Sequence, residues 1–186
     1  MADAETARVK RHLPGDRRPD TRAMIRVDQA GEHGAARIYA GQLAVMGGRH
    51  RDAGEIRHMA AQEQRHLDGM NRIMAQRGVR PTLLGPFWHV AGFALGAATA
   101  LLGHRGAMAC TVAVEEAIDE HYRAQEDILG DDEAELRADI ARFRAEELEH
   151  RDTGLEHEAE QAPAYRLLSA AIKTGCKIAI KVSERV

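Results

Sequence analysis

The sequence is poor in cysteine and in aromatic side chains. Its two cysteines, Cys110 and Cys176, are too few and too far apart for a disulfide-stabilised secreted domain, so we expect reduced, buried thiols and an intracellular setting. Aromatic residues make up only 4% of the chain, which together with abundant alanine favours helices over sheets. The net charge of −3 provides no basic surface, so we expect no nucleic-acid partner.

The first 20 residues lack the features of a targeting sequence. They contain no apolar run typical of a signal peptide, and acidic residues interrupt the composition expected of a transit peptide. Pro14-Gly15 and Pro19 break any regular structure in this stretch. We therefore predict a flexible arm over residues 1–20, followed by a single domain over 21–186.

Four stretches of the chain carry apolar residues at helical spacing. Glycine-containing turns at Gly47-Gly48 and at Gly130 join the first stretch to the second and the third to the fourth. The pattern predicts an all-α four-helix bundle built from two helical hairpins. The expected helices are 21–46, 52–76, 105–129 and 132–160.

Each predicted hairpin carries one glutamate on its first helix and a Glu-x-x-His pair on its second. A spacing of three places the Glu and His of a pair on one helix face. In both hairpins the single Glu and the pair are equally far from the turn, roughly 23 Å at about 1.5 Å per residue, so they share one height. Glu55 and His58 have the same spacing but fail this height test, and we expect them on the surface. The six matching residues are Glu32, Glu63, His66, Glu115, Glu147 and His150.

Two Glu plus two Glu-x-x-His, one element per helix, is the ligand set of carboxylate-bridged di-iron bundles. Four buried carboxylates without counter-charge would cost many kcal/mol, and two divalent cations remove that cost. The lack of a thiolate disfavours structural zinc and leaves iron and manganese open. By analogy with such sites, we expect Glu63 and Glu147 to bridge the metals, Glu32 and Glu115 to be terminal ligands, and each histidine to supply one nitrogen.

Four further side chains lie near the expected ligands. Asp28, one turn before the first ligand, is the candidate acceptor for the second nitrogen of a ligand histidine; the alternative is a surface charge. Tyr122 and His121 lie beside the Glu115 face and are candidates for electron or proton transfer or for contact with a substrate ring. The alternative for both, and for Tyr39 in the first hairpin, is packing and hydrogen bonding to the ligands.

Two segments outside the four helices are apolar. Residues 83–103 contain no Asp, Glu, Lys or Arg and include Gly92-x-x-x-Gly96, which permits close helix approach. This segment is interpreted as a buried crossover between the hairpins, with an interfacial segment or a true membrane span as alternatives. Residues 164–186 predict a basic amphipathic helix that either lies on an anionic membrane or packs on the bundle.

Several runs are more specific than the ligand spacing. They include Arg26-Val27-Asp28-Gln29-Ala30-Gly31-Glu32, Glu146-Glu147-Leu148-Glu149-His150 and segments 37–42, 92–96, 107–116, 162–165 and 183–185. Over residues 21–186 the chain resembles the 3-demethoxyubiquinol hydroxylase family of ubiquinone biosynthesis, whose members are ferritin-like di-iron proteins. The resemblance implies a monooxygenase that hydroxylates the ring of a polyprenylated methoxy-benzoquinol. A ferritin-like iron-storage or peroxide-scavenging protein is the alternative.

The resemblance also implies cofactors, partners and a location. The cofactors are two iron ions, with O2 as co-substrate and an electron donor left open, an NADH-linked donor being one option. The partners are the polyprenyl benzoquinol, a membrane lipid surface, a second copy of the chain and a lipid-binding protein of the same pathway. We expect peripheral attachment to the cytoplasmic face of the inner membrane for a bacterial protein. For a eukaryotic one we expect the matrix side of the mitochondrial inner membrane.

Overall fold

The computed structural model describes residues 11–48, 50 and 52–186 and confirms the all-α prediction. The first ten residues of the predicted arm lie outside the described residues. Two short 3-10 helices, Asp131–Glu133 and Ala159–Gln161, flank the fifth α-helix. The α-helices are α1 Thr21–Met46, α2 Ala53–Arg77, α3 Gly85–Leu101, α4 His104–Ile128, α5 Ala134–Glu156 and α6 Tyr165–Ser183.

Local sequence explains where the first hairpin begins and turns. The Asp20 side chain accepts a hydrogen bond from the Ala23 backbone N–H at 3.1 Å, which caps α1. Gly47 ends α1 with a φ of 70°, a backbone conformation that residues with a side chain rarely adopt. Gly78 ends α2 in the left-handed conformation, and the Val79 N–H bonds back to the Met74 carbonyl at 3.0 Å.

The predicted helix over 132–160 is wrong at its C-terminal end. The α-helix ends at Glu156, and Glu158 adopts a left-handed backbone conformation with a φ of 64°. A residue in that conformation cannot continue an α-helix, so the chain passes into the 3-10 turn Ala159–Gln161. Periodicity missed this break because no Gly or Pro marks it.

Helices α1, α2, α4 and α5 form the bundle, with α1 against α2 and α4 against α5. Its interior holds two apolar clusters. One contains Ile25 of α1, Met70 of α2 and Phe143 of α5. The other contains Tyr39 and Met59 with residues of α4. Between these clusters along α1 and α2 lie Glu32, Glu63 and His66, so apolar layers close the site from both ends.

Helix α3 packs along α1 through glycines. A Cβ on Gly96 would collide with the Ile38 carbonyl, and a Cβ on Gly41 would lie 2.8 Å from the Ala97 nitrogen. Only one face of α3 is covered, because Phe87 and Val90 are exposed on the other. The interpretation of 83–103 as a buried crossover is therefore correct only for the face that meets α1.

Helix α6 packs on α4 as the second outer helix. Ser169 and Ile172 are buried, and Lys177 pairs with Glu120 of α4 at 2.7 Å. Leu167 and Ile178 of the same helix remain exposed. One face of the helix thus packs on the bundle, as one of the two alternatives predicted, while attachment of its exposed apolar side to a membrane stays a prediction.

Across the part of the chain that the structure describes, no helix has both the length and the hydropathy required to span a membrane. The two cysteines are free thiols, as expected, but only Cys110 is buried, whereas Cys176 is half-buried on α6. Residues 11–20 form no helix, and the buried His12 ring lies 2.9 Å from Asp132 in the α4–α5 connection. A flexible arm and a single domain stay predictions.

The α1–α3 contact yields a test of packing. We expect Gly96→Ala to lower the free energy of unfolding by about 3 kcal/mol, the upper end of the range for overpacking, because the added carbon meets backbone atoms that cannot rotate away. Gly175→Ala, on the exposed side of α6 with nothing within 4 Å, should instead stabilise by about 0.5–1 kcal/mol. Chemical denaturation of both variants measures the difference; equal effects would refute the close packing.

Candidate metal centre

The structure brings the six predicted ligand residues together from four helices. Each of them is at most 2% exposed. They form two overlapping groups whose ligand atoms lie within 4.8 Å of one another, one with His66 and Glu32 and the other with His150 and Glu115. Glu63 and Glu147 belong to both groups. These two carboxylates therefore occupy the shared position expected of bridging ligands.

The height argument from the sequence also separates this cluster from Glu55 and His58, which have the same Glu-x-x-His spacing. Glu55 and His58 are exposed on α2, two turns closer to the α1–α2 connection than Glu63 and His66. A shift of eight residues along a helix moves the side chains by about 12 Å along the axis and turns them by about 80° around it. They consequently miss the level at which the four helices supply carboxylates.

The donor set fits metal ions, because several buried oxygens have no hydrogen-bond donor among the described residues. Both carboxylate oxygens of Glu63 and one oxygen each of Glu32 and Glu115 are in this position. Glu63 Oε1 lies 3.1 Å from His150 Nδ1, but the two are not in hydrogen-bonding geometry. Buried carboxylate oxygens without donors are costly, and cations are the partners that such oxygens accept.

The two histidines each have one nitrogen in the cluster and one directed away from it. Nδ1 of His66 and of His150 lie 3.0 and 3.1 Å from the oxygens of Glu147. The far nitrogen of His66 lies 3.0 Å from Glu146 Oε2, and that of His150 lies 3.1 Å from Gln62 Oε1. Hydrogen bonds of this kind fix the ring orientation and the tautomer of a ligand histidine.

Asp28 is not the acceptor for these far nitrogens, so that prediction is wrong. Its Oδ1 lies 3.0 Å from His121 Nε2 and accepts from Gln125 Nε2 at 2.8 Å, both on α4. The ligand histidines lie on α2 and α5, and the acceptor for each one comes from the other of these two helices. The sequence did contain the signal, because a Gln or Glu directly precedes the ligand Glu in both hairpins, as Gln62 and Glu146.

The buried tyrosines connect the two hairpins. Tyr39 of α1 donates to Glu115 Oε1 of α4 at 2.8 Å, and Tyr122 of α4 donates to Glu32 Oε1 of α1. Each tyrosine therefore holds the single glutamate of the opposite hairpin. His121 is further out and contacts Asp28, so among these candidates the tyrosines touch the carboxylates directly.

Burial and mutual repulsion set the protonation of the cluster. Burial and the charge of Glu147 raise the pKa values of Glu63 and Glu115 well above the ordinary value of 4.5. Burial also opposes the charge on Glu147, but hydrogen bonds from His150 and His66 outweigh it and lower the Glu147 pKa to about 2. Although burial acts against the His66 imidazolium, the nearby carboxylates of Glu147 and Glu32, 3.0 and 3.5 Å from Nδ1, raise the His66 pKa to about 12. Without metal, protons take the place of cations.

This protonation pattern predicts how the stability of the metal-free protein depends on pH. Folded Glu63, Glu115 and His66 keep protons that the unfolded chain loses above about pH 4.5 for the acids and 6.5 for the histidine. The unfolding free energy should therefore fall as pH rises, by about 1.4 kcal/mol per pH unit for each extra proton. Glu147 acts oppositely only below pH 4.5. Urea denaturation at several pH values after metal removal measures the slope.

Two controls sharpen this measurement. Glu63→Gln should reduce the slope because the amide does not titrate, whereas Glu55→Gln on the exposed face of α2 should leave it unchanged. Loading with Fe2+ or Mn2+ should also flatten it, since metal binding releases the same protons. A metal-free protein whose stability stays constant or rises between about pH 5 and pH 8 would contradict the assignment.

Comparisons with known proteins identify the family. The family described as "Ubiquinone biosynthesis protein COQ7" matches residues 19–183. A 3-demethoxyubiquinol 3-hydroxylase of Rhodospirillum rubrum is 63% identical, over 94% of this chain and 83% of that protein. The rat mitochondrial NADPH-dependent 3-demethoxyubiquinone 3-hydroxylase is 58% identical, over 87% and 76%, and the yeast mitochondrial 5-demethoxyubiquinone hydroxylase is 40% identical, over 88% and 77%. With its buried carboxylate and histidine cluster inside an all-α bundle, the chain belongs to the COQ7 family of ubiquinone biosynthesis proteins.

Proposed function

We propose that this protein is a di-iron monooxygenase that hydroxylates the ring of a polyprenylated methoxy-benzoquinol, 3-demethoxyubiquinol, in ubiquinone biosynthesis. The observation that carries the proposal is the pair of overlapping ligand groups that share Glu63 and Glu147. The hydroxylase names of the relatives supply the reaction. They also disfavour the alternative of an iron-storage or peroxide-scavenging protein.

The six clustered residues would hold two iron ions, with Glu63 and Glu147 between them. Iron bound there supplies the binding and reductive activation of O2, which the side chains of the protein cannot perform. The two histidines give one nitrogen to each group, and their far nitrogens are anchored on Glu146 and Gln62. The protein's own part is to hold this buried donor set between two apolar layers.

The tyrosines act on the terminal carboxylates. Tyr39 donates to Glu115 and Tyr122 donates to Glu32, so each hydroxyl fixes one oxygen of its glutamate. Burial raises the pKa values of both tyrosines well above 10, and the neighbouring glutamates raise them further, so both remain donors. We propose that the two tyrosines position Glu115 and Glu32. His121 lies further from the cluster, where its Nε2 contacts Asp28.

An apolar groove of about 510 Å³ lies beside the cluster, between α3 and α6 on the outer face of α1 and α4. Its floor includes Gly31 and Val114, and each of these residues directly precedes a clustered glutamate in the sequence. Its walls are mostly small or aliphatic side chains such as Ala171, together with the Trp88 indole. We propose that the isoprenoid tail of the substrate lies in this groove, which brings the quinol ring next to the carboxylate cluster.

The outer helices also support peripheral attachment to a membrane. Exposed Phe87 and Val90 of α3 and Leu167 and Ile178 of α6 offer apolar side chains to the lipid that holds such a substrate. Several relatives are mitochondrial by name, and for a bacterial chain we propose the cytoplasmic face of the inner membrane. The relatives' names favour NADPH over an NADH-linked donor. Self-association and a lipid-binding partner protein stay predictions.

The proposal is tested by exchanging a shared ligand. We expect Glu63→Ala to lower ring hydroxylation at least about 1,000-fold and to reduce the bound iron, because both ligand groups lose a common carboxylate. This loss corresponds to more than about 4 kcal/mol of transition-state stabilisation. Conversion of demethoxyubiquinol by the iron-loaded protein, followed by chromatography and mass spectrometry, measures the reaction.

Glu55→Ala is the matched control, because Glu55 has the same Glu-x-x-His context on α2 but is exposed. It should keep wild-type activity and iron content. Full hydroxylation by the Glu63 variant would overturn the proposal. Iron uptake and peroxide consumption without any quinol hydroxylation by the wild type would favour the storage or scavenging alternative.

The groove assignment is tested separately with Ala171→Phe. The larger side chain should fill part of the groove and raise the KM for a long-tailed quinol about tenfold or more, while a short-chain quinol is converted almost normally. Ala170→Phe, on the adjacent exposed position of α6 that does not line the groove, is the control. Equal losses with both substrates in Ala171→Phe would show that the tail does not occupy this groove.

A further inference from the structure

A second group of metal-ligating side chains lies at the end of the bundle where α1 turns into α2. It contains His50 and Asp52 from the α1–α2 connection and His104, the first residue of α4. One ligand atom of each residue lies within 4.8 Å of the others. None of the three belongs to the central cluster, whose Glu63 and Glu115 lie 11 residues after Asp52 and His104, roughly 17 Å along the helices at about 1.5 Å per residue.

Asp52 supplies the buried carboxylate of this group. It is 3% exposed and occupies the N-cap position of α2, where an aspartate ordinarily bonds the first turn of its own helix. Its carboxylate instead faces the histidines, with Oδ2 3.5 Å from His50 Nδ1 and Oδ1 2.9 Å from His157 Nδ1. The His157 contact, from the C-terminal end of α5, fixes the orientation of the carboxylate as an outer partner fixes a metal ligand.

The two imidazoles of the group are close together and accessible. The rings of His50 and His104 have centroids 5.9 Å apart, and their side chains are 33% and 24% exposed. His104 Nε2 lies 3.4 Å from Glu158 Oε2, which also accepts from the Arg105 guanidinium at 3.1 and 3.2 Å. Arg105 thus pairs with Glu158 beside this group.

We propose that His50, Asp52 and His104 bind a divalent transition-metal ion, of which Zn2+ is the best match. Two imidazoles and one carboxylate are a ligand set that zinc accepts, with water in the fourth position. An ion held there joins the α1–α2 connection to the beginning of α4. It would therefore clamp the two hairpins together at the end of the bundle opposite the α4–α5 connection, independently of the hydroxylase chemistry.

The test uses the full-length, iron-loaded protein, so that the central cluster is already occupied when Zn2+ is added. The wild type should take up one Zn2+ more than His50→Ala or His104→Ala, and either variant should weaken that binding more than about tenfold. Competition with a chromogenic chelator measures the affinity. Zinc anomalous diffraction from soaked crystals should place the additional ion between the three side chains.

His58→Ala is the matched control, because His58 is an exposed histidine of α2 outside the group. It should bind Zn2+ as the wild type does. Zn2+ should also raise the melting temperature of the wild type and of His58→Ala, but not that of the two site variants. Equal uptake by all four proteins, or an anomalous signal only elsewhere, would overturn the proposal whatever the hydroxylase activity.

Discussion

The repulsion between buried carboxylates is the constraint on which the rest of this structure depends. Four glutamates converge at the centre of the bundle, each at most 2% exposed, and oxygens of three of them, Glu32, Glu63 and Glu115, have no hydrogen-bond donor among the described residues. Such a cluster is tolerated only with cations or with protons in their place. The raised pKa values of Glu63 and Glu115 and the imidazolium character of His66 are the expression of this constraint in the metal-free protein. The same affinity for positive charge makes the cluster a candidate metal centre.

The cluster is built by a repeat of the helical hairpin whose contacts cross from one copy to the other. Tyr39 bonds the glutamate of the second hairpin, and Tyr122 bonds that of the first. The far nitrogens of the two ligand histidines are likewise held by Glu146 and Gln62 of the opposite hairpins. Neither hairpin can therefore complete its own half of the site. The arrangement couples assembly of the bundle to assembly of the carboxylate and histidine cluster.

The sequence was sufficient for the features that periodicity and turn position control. Equal distance from a glycine turn placed Glu32 opposite Glu63 and separated the real pair from Glu55 and His58, because helix rise is nearly constant. It was insufficient where a side chain could choose between several neighbours at similar heights. Asp28 was assigned to a ligand histidine but bonds His121 and Gln125, since orientation around the helix axis decides that choice.

Composition also could not predict which helix faces are buried or which residues meet when whole helices pack together. Residues 83–103 have an apolar pattern that fits burial, an interface or a span, and only the glycine contacts of α3 with α1 show which face is covered. The group of His50, Asp52 and His104 comes from the α1–α2 connection and the first residue of α4, and no spacing rule links its members. The break at Glu158 is a backbone conformation without a Gly or Pro to announce it.

Helix α1 shows how one element serves two incompatible environments. Glu32 and Tyr39 point to the charged interior, whereas Gly31 and Ala35 line the apolar groove, and Gly41 allows α3 to approach closely. Small residues on the outer face of α1 let the groove lie close to the carboxylates. The α1 backbone still separates the apolar groove from the buried charge. Bulky aromatic side chains there would fill the groove or push α3 away. The scarcity of aromatics that first indicated a helical protein thus also leaves room for the groove in which we propose that the isoprenoid tail lies, beside the carboxylate cluster.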